Sequence, residues 1–274
     1  MSSKYEDELG LIVMDNCKEL GNKIDQNIMQ RRSKKDSFII PTNLVRFNNG
    51  EGKAVIEDSV RDKDLYIISD IGNHSMTYKM YGYLNHMGPD EHFMDIKRVI
   101  SAVRGQADRV TVVMPLLYES RQHRRKGRES LDCALALQEL QNLGVSTIVT
   151  FDVHDPNIQN AVPTSMSFEN FYPTNTILKE FIKNEEFDPE SVKFISPDTG
   201  AMDRAKYYAN MFQADVGMFH KRRDYSKIVD GKNPIVAHNY LGGNLEGETA
   251  IVIDDMIASG TSMLEVAADL KERG

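Results

Sequence analysis

The sequence predicts an α/β protein of two domains, each with a mainly parallel central sheet flanked by helices. Strand-like and helix-like patterns alternate along nearly the whole chain, as they do in βαβ units. Several strand candidates are near-continuous apolar runs, such as LYIIS at 65–69 and VTVVMP at 110–115, which are typical of strands covered on both faces. The length of 274 residues fits about two domains.

The first half contains short apolar runs bounded by turn residues, which predict strands, and segments with apolar residues at helical spacing, which predict helices. The expected strands, in chain order, cover residues 11–15, 38–47, 53–58, 64–69, 109–115 and 146–152. The expected helices cover residues 16–31, 91–104 and 130–143.

Residues 155–175 lapse into Asn, Pro and Ser, so we expect a boundary there, with one domain at 1–165 and a second at 166–274. The alternation then resumes, with a charged loop after residue 220. The expected elements are helices at 175–185, 200–212 and 260–272 and strands at 192–197, 216–220, 235–238 and 249–254. The last helix ends at Gly274, a C-cap residue, where an α/β domain normally continues, so we expect the second domain to be truncated.

Composition narrows the function classes. A net charge of -8 disfavours a nucleic-acid-binding protein. The apolar runs are too short to span a membrane, and the N-terminus is too acidic for a secretory signal, so we expect no membrane partner. Cys17 and Cys133 lie far apart without a CxxC spacing, which favours a reducing compartment and no structural zinc. We therefore expect a cytoplasmic protein.

The strongest chemical motif is IVIDDMIASGTS at 251–262. Asp254 and Asp255 end an apolar strand, so they lie at the edge where parallel sheets bind ligands. The small residues at 258–262 leave backbone N–H groups bare where a helix begins, and such groups hold phosphate. The motif predicts a site for a sugar phosphate.

A cationic loop, RQHRRKGR at 121–128, follows the strand that ends near residue 115. Basic runs are usually solvated surface, but this one lies at a ligand-binding sheet edge, which favours polyphosphate. Asp152, His154 and Asp155 crowd the end of the next strand. Neither a Walker loop nor a GxGxxG fingerprint occurs, so a nucleotide would be held in another way.

The Asp-Asp segment resembles the loop that binds phosphoribosyl pyrophosphate (PRPP) in type I phosphoribosyltransferases and PRPP synthetases. The resemblance implies that Asp254 and Asp255 bind the ribose hydroxyls. It implies that the following loop wraps the 5-phosphate, through Ala258, Ser259, Gly260, Thr261 and Ser262. Ala258 departs from the pattern, because these loops commonly carry a third acidic residue there.

The segments that follow the two central strands are similar to the nucleotide site of PRPP synthetases. Arg121, Gln122 and Arg124 match the ATP loop of that family, while His123 stands where the family usually has Asp. His154, with Gln159, matches a segment whose histidine lies at the ATP phosphates and the metal. The segment SPDTGAMDRAK at 196–206 likewise matches a family segment, which implies that Asp198 binds magnesium (Mg²⁺).

Two further segments complete the resemblance. Lys221 and Arg223 match a basic run on a flexible loop that closes over the transferred group, which implies a catalytic role. Phe47, Asn49 and Glu51, in VRFNNGE, match an adenine-binding segment contributed by a neighbouring subunit, with Asn49 replacing Asp. The matching segments occur in family order along nearly the whole chain.

By this resemblance the chain is identified as a member of the ribose-phosphate pyrophosphokinase (PRPP synthetase) family, which implies two phosphoribosyltransferase-like domains. The implied reaction transfers the β,γ-diphosphoryl group of MgATP to the anomeric hydroxyl of ribose 5-phosphate, giving PRPP and AMP. The family also implies a homo-oligomer based on dimers, up to a hexamer. Two alternatives stay open: a transferase that consumes PRPP, and a catalytically silent regulatory homologue, which the departures at Asn49, His123 and Ala258 favour.

Overall fold

The computed structural model describes residues 8–185, 187–223 and 235–274. The chain divides into two compact units, Met1–Tyr172 and Pro173–Gly274. This division lies later than the expected one at 165/166, because residues 167–171 form a strand that pairs with the sheet of the first unit. No helix in these described ranges is long and apolar enough to cross a membrane.

From residue 8 onward, the first unit forms a central sheet, two small hairpins and three α-helices. Its strands are β1 (Leu9–Val13), β2 (Thr42–Arg46), β3 (Gly52–Ile56), β4 (Asp64–Ile68), β5 (Thr77–Met80), β6 (Tyr83–His86), β7 (Arg109–Val113), β8 (Thr147–Phe151) and β9 (Ser167–Phe171). Its helices are α1 (Lys18–Arg32), α2 (Pro89–Val103) and α3 (Asp132–Asn142). The central sheet is parallel throughout, in the order β1-β4-β7-β8-β9.

The central sheet is buried on both faces, as its apolar runs predict. On one face Ile67, Ile96 and Leu137, from β4, α2 and α3, lie in one core cluster and are at most 1% exposed. The other face packs Leu11 and Ile68 against α1. At that contact a Cβ on Gly21 would lie 2.2 Å from Cγ1 of Val13, so the helix approaches the sheet closely because residue 21 is glycine.

Two elements of the first unit were not predicted. The β5–β6 hairpin turns through Tyr81 and Gly82, whose φ angles are 50° and 85°. A tight hairpin turn of this kind favours Asn-Gly, so Tyr-Gly gave a weak signal. Strand β9 lies at the sheet edge, and its half-exposed sequence SFENF lacks the apolar run on which the other strands were recognised. The expected strand at 38–47 is shorter in the structure, as β2 begins at Thr42.

The described residues of the second unit form one sheet and three α-helices. Its strands are β10 (Val192–Ser196), β11 (Asp215–Arg223), β12 (Ile235–Leu241) and β13 (Thr249–Val252), and its helices are α4 (Thr174–Asn184), α5 (Met202–Phe212) and α6 (Thr261–Glu272). The sheet order is β12-β11-β10-β13, parallel except for the β11–β12 pair. Phe194 on β10 is fully buried, as is Phe219 on β11.

The charged segment after residue 220 was expected to be a loop, and this expectation is wrong for residues 221–223. Pairing of β11 with β10 covers Asp215 to Met218, and from there β11 continues as a ribbon with β12 up to Arg223. A two-stranded ribbon accepts charged residues because it is not enclosed by the sheet core. The rest of the expected loop, residues 224–234, lies outside the described residues.

Candidate functional site

In the first unit, the loops that follow β7 and β8 meet at the carboxyl edge of the sheet. His123, in the loop after β7, places Nε2 3.0 Å from Oδ2 of Asp155, in the loop after β8. The side chain of His123 is only 10% exposed. Its ring lies edge-on to the ring of His154, with the centroids 5.4 Å apart. The structure therefore brings together the two segments that were predicted to bind ATP.

Asp155 also organises the loop in which it lies. Its Oδ1 accepts hydrogen bonds from the backbone N–H and the side-chain amide of Asn157, both at 2.9 Å, at the start of a short 3-10 helix, Pro156–Ala161. The Asn157 backbone N–H is the largest cause that lowers the pKa of Asp155, and the electrostatic effects of the neighbouring His123 and Arg124 lower it further. Asp155 is therefore a carboxylate acceptor near neutral pH.

The cationic loop presents its charges to solvent from an anchored backbone. The Gln122 N–H donates to the Glu119 carbonyl at 2.8 Å, and the Gln122 carbonyl accepts from Cys133 N–H at 3.4 Å. The side chains of Arg121 and Arg124 are exposed, and Gln122 is half-buried. Exposed guanidinium groups at a sheet edge form a surface that attracts and orients polyphosphate.

The predicted adenine-binding segment forms the tip of the β2–β3 hairpin. Phe47 N–H donates to the Glu51 carbonyl at 2.7 Å, and the Asn49 side-chain amide donates to Oε2 of Glu51 at 2.9 Å. Phe47 is 46% exposed. The N–H of Tyr81, at the tip of the β5–β6 hairpin, donates to the Asn48 carbonyl at 2.8 Å. This braced loop presents an aromatic ring that could stack on a base.

A buried polar network at the carboxyl ends of β1 and β4 was missed by sequence reasoning. The Asn16 amide lies 3.0 Å from Oγ of Ser69 and 2.9 Å from Nδ1 of His92. Nε2 of His92, which is 2% exposed, lies 2.7 Å from the Asn73 carbonyl. The signal available in the sequence was the polar pair Asp15 and Asn16, which comes directly after an apolar run. These hydrogen bonds hold the polar side chains in place at the same sheet edge as the loops that follow β7 and β8.

In the second unit, Asp254 and Asp255 follow β13, as predicted. Oδ1 of Asp254 accepts the Asp255 backbone N–H at 2.9 Å, and both residues are half-buried. Burial is the largest cause that raises the pKa of Asp254, to about 6, and the neighbouring Asp255 and Asp198 raise it further. The carboxylates of Asp254 and Asp198 therefore act on each other at one sheet edge.

The small residues that follow open α6. Gly260 is the N-cap residue and has φ 78°, a conformation that glycine adopts without strain. The hydroxyls of Ser259 and Thr261 lie 3.1 Å apart. Four of the five predicted phosphate-binding residues are exposed, Gly260 being half-buried: Ala258, Ser259, Thr261 and Ser262. A helix start with exposed N–H and hydroxyl groups suits a phosphate dianion.

Asp198, the predicted magnesium residue, lies exposed in the turn between β10 and α5. Its Oδ1 accepts the backbone N–H groups of Gly200 at 2.8 Å and Ala201 at 3.2 Å. Asp198 and His154 belong to different units. Over the part of the chain that the structure describes, no three His, Cys, Asp or Glu side chains form a group that could hold a metal ion.

The two predicted catalytic residues are placed by their backbone alone. Lys221 pairs with His238 and Arg223 with Ile235, in the outer part of the β11–β12 ribbon. The ribbon extends from the carboxyl-end half of β11, beyond its pairing with β10.

Two family models match the chain. Residues 9–144 match the N-terminal domain of ribose phosphate pyrophosphokinase. Residues 174–274 match the phosphoribosyl transferase domain. These two ranges fall within the first and the second structural unit, respectively.

Curated relatives carry the same family name. A ribose-phosphate pyrophosphokinase of Oceanobacillus iheyensis is 28% identical over 278 residues, covering 100% of this chain and 77% of the relative. One from Bacillus subtilis is 27% identical with the same coverage of 100% and 77%. The fold is similar to that of a phosphoribosylpyrophosphate synthetase from Mycobacterium smegmatis, with a TM-score of 0.78 and 21% identity, over 98% of this chain and 78% of that one.

Proposed function

Because the chain belongs to the ribose-phosphate pyrophosphokinase family, we propose that it transfers the β,γ-diphosphoryl group of MgATP to the anomeric hydroxyl of ribose 5-phosphate. The products are PRPP and AMP. The observation that carries this proposal is the edge of the second sheet, where Asp254 and Asp255 lie between the end of β13 at Val252 and the helix start at Gly260. That arrangement offers carboxylates to a sugar and N–H groups to a phosphate.

Ribose 5-phosphate binding is assigned to the second unit. Asp254 and Asp255 accept hydrogen bonds from the ribose hydroxyls, and residues 258–262 bind the 5-phosphate. The exposed hydroxyls of Ser259 and Thr261 and the permissive backbone of Gly260 support this assignment. Ala258 lacks a carboxylate, so it removes a negative charge that would repel phosphate.

ATP binding is assigned to the first unit. Arg121, Gln122 and Arg124 bind the phosphates, with His154 from the adjoining loop. The hairpin tip, with Phe47, Asn49 and Glu51, binds adenine. The exposed guanidinium groups and the exposed ring of Phe47 support these roles. Asn49 replaces an acidic residue, but its hydrogen bond to Glu51 holds the loop in a defined conformation.

The residues present fit Mg²⁺ as the cofactor. The ion prefers oxygen ligands and is usually held by one or two carboxylates together with substrate phosphates, so a closed protein cage is not required. Asp198 supplies such a carboxylate at a sheet edge, and its Oδ1 already has a fixed direction. We assign Asp198 and His154 to the metal. When bound, Mg²⁺ would neutralise charge on the transferring phosphates.

Lys221 and Arg223 are assigned the catalytic role. Phosphoryl transfer needs little covalent chemistry from the protein, so cations that neutralise charge on the transferred group lower the barrier. Both residues lie on the part of the β11–β12 ribbon that extends beyond the pairing of β11 with β10, which supports this role.

The alternatives are less well supported. If the protein were a transferase that consumes PRPP, the first unit would have no role in the reaction, yet residues 9–144 match a pyrophosphokinase domain. A silent homologue would have no need for the full set of Lys221, Arg223, His154 and Asp198. We further propose that the enzyme acts in the cytoplasm as a homo-oligomer based on dimers, as large as a hexamer, without nucleic-acid or membrane partners.

AMP release from ATP, Mg²⁺ and ribose 5-phosphate tests the function. We expect AMP only when all three are present, and loss of at least about 100-fold in kcat in Lys221→Ala, with little change in the KM for ribose 5-phosphate. Lys206→Ala, which removes an exposed cation of α5, is the matched control. PRPP consumption that depends on an added base would instead identify a transferase.

A further inference from the structure

We infer that His123 is a positioning residue that fixes the loop of His154 in the nucleotide site. The inference rests on the proposed ATP-binding function of the first unit. It starts from three observations made on one side chain: burial, a hydrogen bond to Asp155, and ring contact with His154.

The first step concerns the loops that His123 joins. The loop after β7 carries exposed cations that repel one another, among them Arg121 and Arg124. His123 differs from these neighbours because its side chain is 10% exposed and reaches the loop after β8. It therefore links the segment that carries the arginines to the segment that carries His154.

The second step concerns the direction of the hydrogen bond. Asp155 is held as a carboxylate by the Asn157 N–H on Oδ1, so its Oδ2 is an acceptor and Nε2–H of His123 is the donor. A carboxylate acceptor makes this bond stronger than a neutral one. Nδ1 of His123 is buried without a hydrogen-bond partner. The hydrogen bond from Nε2 to Asp155 therefore orients the ring, because Nδ1 makes no hydrogen bond that could also do so.

The third step concerns His154. Its ring is exposed, and it meets the ring of His123 edge-on at 5.4 Å between centroids. An exposed histidine loses rotamer freedom when a fixed ring packs against it. Asp155 therefore orients His123, and His123 in turn limits the positions of the His154 ring.

This chain of contacts also explains why position 123 takes histidine here. An aspartate at 123 would turn a second negative charge toward Asp155 and, as a carboxylate, could not donate the hydrogen bond that Nε2 makes. The residue that is usual in similar ATP loops therefore could not replace His123 in this contact.

The test compares four variants in the full chain: His123→Ala, His123→Gln, His123→Asn and His123→Asp. We expect Ala to lower kcat about 10-fold to 100-fold, since small displacements of positioning groups have effects of this size. The KM for ribose 5-phosphate should change less than about twofold. Gln can place its amide nitrogen where Nε2 lies, so it should restore kcat to within about threefold, whereas Asn is too short. Asp should be the least active of the four.

A binding measurement supplements the kinetics. The affinity for the non-hydrolysable analogue AMPPNP, measured by calorimetry without metal, should weaken in His123→Ala and His123→Asp and recover in His123→Gln. Adding Asp155→Asn to His123→Asp should recover part of the loss, because the repulsion is removed. Lys206→Ala, an exposed change on α5 in the second unit, is the control and should leave both measurements unchanged.

The outcomes separate the inference from the proposed function. A parent chain that forms no AMP and binds no AMPPNP would overturn both. An active parent whose His123→Ala variant keeps its kcat would overturn the positioning role alone. Equal losses in Gln and Ala, or an equal rise in the KM for ribose 5-phosphate, would assign His123 a structural role and overturn the inference as well.

Discussion

Asp254 accepts the backbone N–H of Asp255 at 2.9 Å, so two adjacent carboxylates share one turn at the end of β13. Burial, followed by the charges of Asp255 and Asp198, raises the pKa of Asp254 from 3.8 to about 6. The folded state therefore binds a proton more tightly than the unfolded state does. The resulting contribution to stability is complete below about pH 4 and is lost as the pH rises through about 6.

Asp254→Asn should therefore stabilise the protein at pH 8 and have little effect at pH 4. A shift of this size corresponds to about 3 kcal/mol, and partial solvent exposure reduces the expected gain to about 1 kcal/mol. Urea unfolding at both pH values measures it. The same variant should bind ribose 5-phosphate more weakly. If the variant were equally destabilised at both pH values, the raised pKa could not belong to Asp254.

Asp198 offers a way to separate a turn-forming role from a metal-binding role. Its Oδ1 holds the N–H groups of Gly200 and Ala201, and an asparagine side chain can accept the same bonds. Asp198→Asn should keep the melting temperature within about 2 °C and raise the Mg²⁺ concentration needed for half-maximal activity at least 10-fold. Asp198→Ala should show both the metal effect and a loss of about 1 kcal/mol. Unchanged Mg²⁺ dependence in the Asn variant would remove Asp198 from the metal site.

Asp95 on α2 joins the β2–β3 hairpin to the helix layer. Its carboxylate bridges Arg46 at 2.7 Å and Arg98 at 2.5 Å, with 5% of the Asp95 side chain exposed. Asp95→Ala leaves two largely buried cations without their partner, so we expect a loss of about 3 kcal/mol or more in unfolding free energy. Chemical denaturation measures it, with the exposed Asp36→Ala as a control. A loss below about 1 kcal/mol would mean that water replaces the carboxylate.

Gly21 sets the distance between α1 and β1. A methyl group there would overlap the Val13 side chain, so Gly21→Ala should lower stability by about 1–3 kcal/mol, although alanine favours helices. Val13→Ala in the same chain should relieve part of the overlap. Thermal unfolding of both single variants and the double variant tests this. Additive losses would show that the two positions do not press on each other.

Much of this fold was predictable because its central strands have an apolar sequence pattern that is easily recognised. β4 and β7 are buried on both faces along most of their length, so their sequences, DLYII and RVTVV, are near-continuous apolar runs. Once the strands are recognised, the residues at their carboxyl ends can be predicted. Asp254, Asp198 and His154 lie after β13, β10 and β8, respectively, as expected.

The remaining features depend on contacts between residues distant in sequence. His123 meets Asp155 across the whole of α3 and β8, and no local pattern specifies that pairing. His92 and Asn16 are likewise joined only by the fold. The basic run at 221–223 was misread because a run of charges suggests a loop, whereas these residues pair with β12 beyond the point where β11 pairs with β10.

The order of strands in the two sheets has a consequence for synthesis on the ribosome. In the first sheet each strand joins the edge left by the strand made before it, so the sheet can grow in step with translation. The second sheet cannot grow in this way, because one edge of β10 pairs with β13, which is synthesised after β11 and β12. The nascent chain therefore completes the sheet of its first unit early, while an edge of β10 stays exposed to aggregation or chaperone capture until residue 252 has left the exit tunnel.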